Sequence, residues 1–332
     1  MPSFASRMLN MALRRLVKRR LRQGLTVDGV RSVGATLERW IARGDLARPG
    51  DAVIANGVLC EWFASVPADE PRVLLYLHGG GFIVHMPSAY RVFARRLGTA
   101  LGARVLLPDY RLAPEHPFPA GADDCLAVYR WLLAAGFDAK RIVIAGDSAG
   151  GNLALVTAMR IRDEMLPAPG CAVMLSPATD MTGGSASNAY NKARDPLLVP
   201  EVAPFLLAAY APASDASHPW ISPIYGNFER LPPLLFHAGS GEHIVDDSIR
   251  AADKARWANV RVELEVWPDM PHVFQMMNAL PEAREAIEAI ARFVREHVPA
   301  TLHDPISGQG HIGRANLREP SSVPIVSASP ID

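Results

Sequence analysis

The chain has 332 residues, of which 49% are hydrophobic, enough for one large buried core. Basic and acidic residues each number 34, so the formal net charge is zero and no global positive field favours nucleic acid. We therefore expect one main domain with appendages and no nucleic-acid partner. The three cysteines, Cys60, Cys125 and Cys171, are odd in number and widely spaced, which indicates buried reduced thiols rather than disulfides or a metal site.

The N-terminal segment combines basic residues with leucines at near-helical spacing, which predicts an amphipathic helix over residues 5–23. Packing over the domain is its favoured role, because one short basic helix holds a protein on acidic lipid only marginally; weak membrane-surface contact is the alternative. A second helix is predicted over residues 26–41. No apolar stretch has the length of a signal-peptide core or of a membrane span, so a soluble, cytoplasmic protein is expected.

Short apolar runs rich in Val, Ile and Leu follow in series from residue 52. They predict eight strands, at residues 52–56, 59–64, 72–78, 104–109, 141–146, 171–176, 233–238 and 261–267. Helical patterns separate most of the later ones, at residues 90–101, 122–135, 149–163, 248–258 and 282–297. The first two runs are close enough for a hairpin, and the alternation after them predicts an α/β fold with a mainly parallel sheet.

Two stretches interrupt this alternation. Residues 180–229, rich in Ala, Pro and Ser, would form an excursion over the carboxyl end of the sheet, where a lid would be inserted. Residues 301–332 contain no Phe, Trp or Tyr and cannot bury enough apolar surface to offset their ordering entropy. We expect this tail to be disordered.

Residues 146–150 read Gly-Asp-Ser-Ala-Gly at the predicted junction of a strand and a helix. This GxSxG pattern is typical of a nucleophile elbow, which presents the serine hydroxyl at the carboxyl edge of the sheet. Gly146 and Gly150 would remove side chains that collide where strand and helix meet, and Ser148 would have a strained backbone. Taken alone, the pattern fits an ordinary small-residue turn equally well.

A second motif, His78-Gly79-Gly80-Gly81-Phe82, ends the third predicted strand. Consecutive glycines expose backbone N–H groups, which suits an oxyanion hole. A phosphate-binding loop is disfavoured, because the Gly-Lys-Ser/Thr ending is missing and the spacing does not fit GxGxxG. Two independent motifs in the expected order favour a hydrolase.

A serine nucleophile needs a general base, and His272 lies in the loop between the last predicted strand and the final helix. His243 is a weaker competitor, and His237 lies in an apolar strand, where a core role is favoured. The base in turn needs a carboxylate. Glu242 is the favoured acid, because it lies in a turn after the seventh strand, whereas Asp246, the alternative, and Asp247 are typical of a helix start.

These motifs, together with Pro-Asp-Tyr-Arg-Leu-Ala-Pro-Glu-His at residues 108–116 and Gly-Gly-Asn at 150–152, resemble the hormone-sensitive-lipase family, the bacterial group IV esterases, over roughly residues 70–298. In many members the acid is an aspartate with a second Asp four positions later, a register that Glu242 and Asp246 occupy here. Relatives often carry glycine where this chain has His85, so we expect His85 to narrow or polarise the pocket wall. The site residues implied by the resemblance are Ser148, His272 and Glu242 as triad, the amides of Gly80, Gly81 and Ala149 as oxyanion hole, and His78, Gly79 and Asp147 in support.

The resemblance further implies an α/β-hydrolase fold in which residues 1–45 and about 185–225 form a helical cap over a catalytic domain at 46–300, with no metal or organic cofactor. The expected activity is that of a serine carboxylester hydrolase acting on small-molecule esters of short acyl chains through an acyl-enzyme. A lactone or N-acetyl hydrolase with the same triad is the alternative, and a non-catalytic small-molecule receptor on this fold is disfavoured. The sequence leaves a monomer and a homodimer both open.

Overall fold

The computed structural model describes residues 2–21, 25–42, 47–63 and 72–298, and the predicted tail at 301–332 lies outside the described residues. All eight predicted strands are present, displaced by at most one residue at either end. Their bounds are β1 Asp51–Ala55, β2 Val58–Phe63, β3 Arg72–Leu77, β4 Ala103–Pro108, β5 Ile142–Asp147, β6 Cys171–Leu175, β7 Leu234–Gly239 and β8 Val262–Trp267.

The strands form one sheet in the order β1-β2-β4-β3-β5-β6-β7-β8. β1 and β2 make the expected antiparallel hairpin, β2 pairs antiparallel with β4, and the remaining pairs are parallel. Every residue of β3, β5, β6 and β7 is buried, because helical crossovers cover both faces of a parallel sheet. The predicted α/β-hydrolase fold is confirmed.

The predicted helices are all present, with some differences. A π-helical turn, Arg14–Lys18, divides the first predicted helix. The helices Pro87–Leu101 and Val245–Trp257 each begin three residues before their predicted starts, so Asp246 and Asp247 lie in the first turn of the second one. Two further helices lie in the excursion at residues 180–229, where no individual helix was predicted. None of the described helices is long and apolar enough to cross a membrane. The bounds are α1 Phe4–Leu13, α2 Arg19–Leu21, α3 Val27–Ile41, α4 Pro87–Leu101, α5 Ala120–Ala134, α6 Ala149–Asp163, α7 Ser187–Tyr190, α8 Val202–Tyr210, α9 Val245–Trp257 and α10 Pro281–His297.

The N-terminal helices pack against the long segment between β6 and β7. Leu13, Val17 and Leu21 bury their side chains beside Val199 and Val202, in an apolar cluster separate from the one around the sheet. Basic side chains of the same helices donate to backbone carbonyls of residues 192–195. The contact agrees with the packing role expected of this helix.

All three cysteines are free and buried, as expected. Burial raises the pKa of the Cys60 and Cys171 thiols to about 12, and it also raises the pKa of the Cys125 thiol well above its usual value. The thiols are therefore protonated near neutral pH and behave as small apolar side chains.

Candidate active site

Ser148 occupies the turn between β5 and α6. Its backbone angles, φ 53° and ψ −119°, lie in a region that residues with a side chain rarely adopt. The Ser148 N–H donates to the carbonyl of Leu175 at 2.8 Å, and its own carbonyl accepts from Asn152 N at 3.0 Å. These bonds hold the turn between the neighbouring strand and the helix, and the strained backbone predicted by the motif is confirmed.

The glycines on either side of Ser148 leave no space for a side chain. A Cβ atom on Gly146 would lie 2.2 Å from the carbonyl oxygen of Gly150, and one on Gly150 would lie 2.0 Å from that of Leu77. Backbone atoms this close cannot rotate away as a flexible side chain could. The steric role predicted for both glycines is therefore confirmed.

His272, in the loop after β8, joins the serine to a carboxylate. Its Nε2 atom lies 2.9 Å from Ser148 Oγ, and its Nδ1 atom lies 2.8 Å from Glu242 Oε2. A carboxylate only accepts hydrogen bonds, so Nδ1 carries the proton and Nε2 presents a lone pair to the hydroxyl. The structure thus brings Ser148, His272 and Glu242 into one hydrogen-bonded chain.

Glu242 is completely buried, and both of its oxygens are engaged. While Oε2 meets His272, Oε1 accepts from Ser176 Oγ at 2.7 Å and from the Gly239 N–H. Ser176 Oγ also accepts from the N–H of Val273, beside His272, at 3.2 Å. These donors fix the carboxylate in the plane that the imidazole needs.

The two other carboxylates after β7 point elsewhere. Asp246 accepts from Ser187 N at 2.8 Å and from the Tyr190 hydroxyl at 2.6 Å. Asp247 is buried, and its partners lie in residues 180–185. Neither carboxylate is hydrogen-bonded to His272 in the described part of the chain, so the geometry favours Glu242.

Two opposing effects act on the His272 imidazole. Burial lowers its pKa, while the hydrogen bond and the charge of Glu242 raise it, with smaller contributions from Asp195 and Asp147. The carboxylates outweigh burial, and the pKa of His272 lies above its usual 6.5. The site therefore favours the imidazolium that forms when the ring accepts a proton.

Asp147 connects the serine turn to the glycine loop. Its Oδ1 accepts from Gly79 N at 3.0 Å and from the Tyr76 hydroxyl at 2.7 Å, and its Oδ2 accepts from the Tyr90 hydroxyl at 3.0 Å. Burial raises the pKa of Asp147, against the effect of these bonds. Sequence reasoning missed both tyrosines, because each lies in an apolar stretch where a core role is the ordinary interpretation.

His78 lies beneath the same loop. Its Nδ1 is 2.7 Å from the carbonyl oxygen of Gly79, and its ring stacks on Tyr110 with centroids 4.3 Å apart. The Tyr110 hydroxyl donates to the His78 carbonyl at 2.6 Å. Burial, with a smaller effect from His85, lowers the pKa of His78 to about 3, so the ring is neutral.

The amides expected to bind an oxyanion lie beside Ser148. Gly80 and Gly81 have φ of 112° and 61°, and a Cβ atom on Gly80 would lie 2.3 Å from the carbonyl oxygen of Val84. The Gly79 N–H already donates to Asp147, so it is not free to bind an oxyanion. The amides that follow it in the loop are those of Gly80 and Gly81. The Ala149 N–H belongs to the first turn of α6, where the helix itself provides no acceptor.

An apolar cavity of about 160 Å³ opens onto Ser148, His272, Gly80 and Gly81. Its walls come from the N-terminal helices, from residues 197–206 and from the loop after His272, and include Val33, Leu37, Leu197, Val202, Leu206 and Met276. The cavity therefore offers an apolar substrate group a place next to the serine.

His85 does not border this cavity, so the expectation that it shapes the pocket wall is wrong. Its neighbours Val84 and Met86 line the cavity, whereas the His85 ring stacks on His78 behind the glycine loop, with Nε2 3.7 Å from Asp109 Oδ1.

The two histidines that competed with His272 as the base form no hydrogen bond with Ser148 or Glu242 in the described structure. His237 is buried in β7 and His243 is buried at a turn whose N–H donates to Asp195, and neither joins the hydrogen-bonded chain.

Comparison with known proteins agrees with this geometry. Residues 74–276 match the family described as the α/β hydrolase fold. A solved esterase of the bacterial hormone-sensitive lipase family superposes with a TM-score of 0.83 and 36% identity, over 90% of this chain and 100% of that one. The chain belongs to the α/β-hydrolase family, in its hormone-sensitive-lipase branch, and it is a carboxylesterase, a serine ester hydrolase.

Two relatives represent the similarity at the level of sequence. An acetyl-hydrolase of Streptomyces hygroscopicus is 40% identical over 248 residues, which are 74% of this chain and 83% of the relative. An esterase of Acinetobacter venetianus is 35% identical over 228 residues, which are 68% of this chain and 75% of the relative.

Proposed function

We propose that Ser148, His272 and Glu242 form the catalytic triad of this esterase. The single observation that carries the proposal is the unbroken chain of hydrogen bonds from Ser148 Oγ through both ring nitrogens of His272 to a buried Glu242. Asp246, whose carboxylate is engaged with residues 187–190, is not part of this proposal.

The reaction then proceeds in two acyl-transfer steps. Ser148 Oγ attacks the ester carbonyl carbon while its proton passes to His272 Nε2, and the carbonyl electron pair moves to an oxyanion held by the amides of Gly80, Gly81 and Ala149. The oxyanion collapses, the ester C–O bond breaks, and the leaving oxygen takes the proton from the imidazolium, releasing the alcohol. Water, deprotonated by His272 in the same way, cleaves the acyl-enzyme and releases the carboxylic acid.

We propose short acyl chains as the preferred substrates. The small apolar cavity beside Ser148 supports this proposal, and so does the similarity to an acetyl-hydrolase. O-acetyl and N-acetyl substrates should be compared directly, because an ester and an amide use the same triad. We expect the ester to react faster, since its leaving group needs less help from the acid.

Ser148→Ala tests the assignment. Hydrolysis of p-nitrophenyl acetate and butyrate should fall by at least about a thousandfold, with an unchanged circular dichroism spectrum. The wild type should be labelled by a fluorophosphonate at Ser148, and the variant should not. Retained turnover or retained labelling in the variant would overturn the proposed nucleophile, and an unreactive wild type would favour a receptor.

We propose a reducing, cytoplasmic setting, which the three free buried cysteines support.

We also propose a secondary contact of α1 with anionic lipid. Phe4, Met8 and Met11 are exposed on this helix beside exposed arginines, an arrangement suited to an acidic surface. Phosphatidylglycerol vesicles should co-sediment the wild type, and Phe4→Ser with Met8→Ser should weaken this. Equal sedimentation of the wild type with phosphatidylcholine vesicles would contradict the electrostatic part of the proposal.

A further inference from the structure

Three potential metal ligands meet outside the catalytic cavity, next to the glycine loop. One ligand atom each from His78, His85 and Asp109 lies within 4.8 Å of the other two. His85 Nε2 is 3.7 Å from Asp109 Oδ1, and the centroids of the His78 and His85 rings are 5.3 Å apart, with 26° between the ring planes. His85 and Asp109 also line a second cavity, of about 160 Å³, which shares no lining residue with the catalytic one.

The tautomer of the neutral His78 ring leaves one of its nitrogens able to bind a metal. Its Nδ1 is 2.7 Å from the Gly79 carbonyl, which can only accept, so Nδ1 holds the proton and Nε2 has a free lone pair. Among the described residues, this buried Nε2 has no hydrogen-bond partner. A histidine that ligates a metal commonly donates its other N–H to a backbone carbonyl, as this one does.

The other two ligands give access from solvent. The side chains of His85 and Asp109 are 38% and 46% exposed, and His85 Nε2 lies next to the Asp109 carboxylate. Arg91 is the cation beside the same cavity, and Glu61 engages it through a hydrogen bond of 2.6 Å. The carboxylate of Asp109 is thus available to a cation.

We propose that His78 Nε2, His85 Nε2 and an Asp109 carboxylate oxygen bind a divalent transition metal such as Zn²⁺. Two imidazoles and one carboxylate form a donor set that Zn²⁺ accepts, with water in the fourth position. At Zn–ligand distances of about 2.1 Å, two ligands of a tetrahedral ion lie roughly 3.4 Å apart, close to the separation of His85 and Asp109. The ligand atoms lie within 4.8 Å of one another, so side-chain rotation of the exposed His85 and Asp109 would have to close a remaining gap of at most about 1.4 Å to His78.

The proposed metal site is connected to the oxyanion loop through His78. A metal on Nε2 would hold the His78 ring, whose Nδ1–H is bonded to the Gly79 carbonyl, and the Gly79–Gly80 peptide leads to the proposed oxyanion amides. Metal loading should therefore change kcat for p-nitrophenyl butyrate more than KM. This kinetic consequence rests on the proposed function, whereas metal binding itself does not.

Calorimetric titration of chelator-treated, tag-free protein with Zn²⁺ tests the proposal. The wild type should bind one equivalent of Zn²⁺, and added Zn²⁺ should raise its thermal unfolding midpoint. His85→Gln and Asp109→Asn should each weaken Zn²⁺ binding at least about tenfold. His272→Gln and His297→Gln are the matched controls, because the triad and a cluster of Glu263, Glu296 and His297 are the alternative zinc sites. Both controls should bind as the wild type does.

The opposite results would overturn the proposal. These are no binding by the wild type, unchanged affinity in both His85→Gln and Asp109→Asn, or loss of the site in either control. The two test side chains are exposed, so circular dichroism should show both variants folded. Calorimetry is independent of esterase turnover, and its outcome is therefore separable from that of Ser148→Ala.

Discussion

At the scale of single residues, the site depends on how each hydrogen bond fixes a neighbour. Glu242 has one oxygen for His272 and one for Ser176 and the Gly239 amide, so the carboxylate cannot rotate away from the imidazole. Asp147 likewise joins the glycine loop to the serine turn through Gly79. The geometry of the proposed triad is thus held by Ser176, Gly239 and Asp147, which lie outside it.

We expect Glu242→Gln to reduce kcat for p-nitrophenyl butyrate by about a thousandfold or more, because an amide can hold His272 in the wrong tautomer and cannot stabilise the imidazolium. Asp246→Asn, a matched carboxylate-to-amide change, should leave kcat within about tenfold of the wild type. Steady-state kinetics on both variants decides the matter. A collapse of the rate in Asp246→Asn alone would show that the acid has been misassigned.

The titration of His272 should govern the acid limb of the pH profile. The base must be neutral, so kcat/KM should fall as pH drops through its pKa, and that pKa is raised by Glu242. The midpoint in the free enzyme should therefore lie above 6.5, the usual value. Asp246→Asn should keep this midpoint, and a profile flat from about pH 5 to 8 would contradict the role of His272 as base.

At the scale of elements, the junction of β5 and α6 is tightly constrained by close backbone packing. The helix begins immediately after the strained serine, and the backbone of Gly150 packs on the carbonyl of Leu77 at the end of β3. Strand positions were predictable because the four central strands are buried throughout and consist mainly of apolar residues. The start of α9 was not, because acidic residues suit both a cap and a first turn.

Gly150→Ala should destabilise the protein by about 3 kcal/mol or more, since its Cβ would lie 2.0 Å from a backbone oxygen. Gly241→Ala is the control, because the nearest atom to a Cβ there is 3.8 Å away. Urea unfolding followed by tryptophan fluorescence measures both. Equal free energies of unfolding for the two variants would contradict this prediction, because they would mean that the fold accommodates the added Cβ atom without loss of stability.

At the scale of the whole molecule, the catalytic cavity is assembled from segments far apart in the chain. Val33 and Leu37 of α3 face Val202 and Leu206 of α8 across the cavity, above the glycine loop. A Cβ atom on Gly81 would lie 2.8 Å from the Leu206 side chain, so α8 closes directly over the proposed oxyanion amides. We infer that the N-terminal helices and the segment between β6 and β7 together act as the cap.

The size of this cavity predicts an acyl-chain preference. In a p-nitrophenyl ester series from acetate to palmitate, kcat/KM should be greatest for the short chains and low for palmitate. Leu206→Ala should move the preference toward longer chains by enlarging the cavity, and Leu207→Ala, next to it but not lining the cavity, should not. A palmitate optimum in the wild type, or the same shift in both variants, would contradict the proposed acyl pocket.

The sequence by itself determined the order of strands and helices, the serine turn and the candidate base, because apolar periodicity and steric rules act over a few neighbouring residues. It favoured Glu242 as the acid, with Asp246 as the alternative, and it misjudged His85. Only the tertiary structure decided which carboxylate faces His272, that Ser176 and two buried tyrosines hold the site, and that His85 lies behind the glycine loop. These relations join residues from different strands, and their side-chain directions depend on packing that local patterns do not encode.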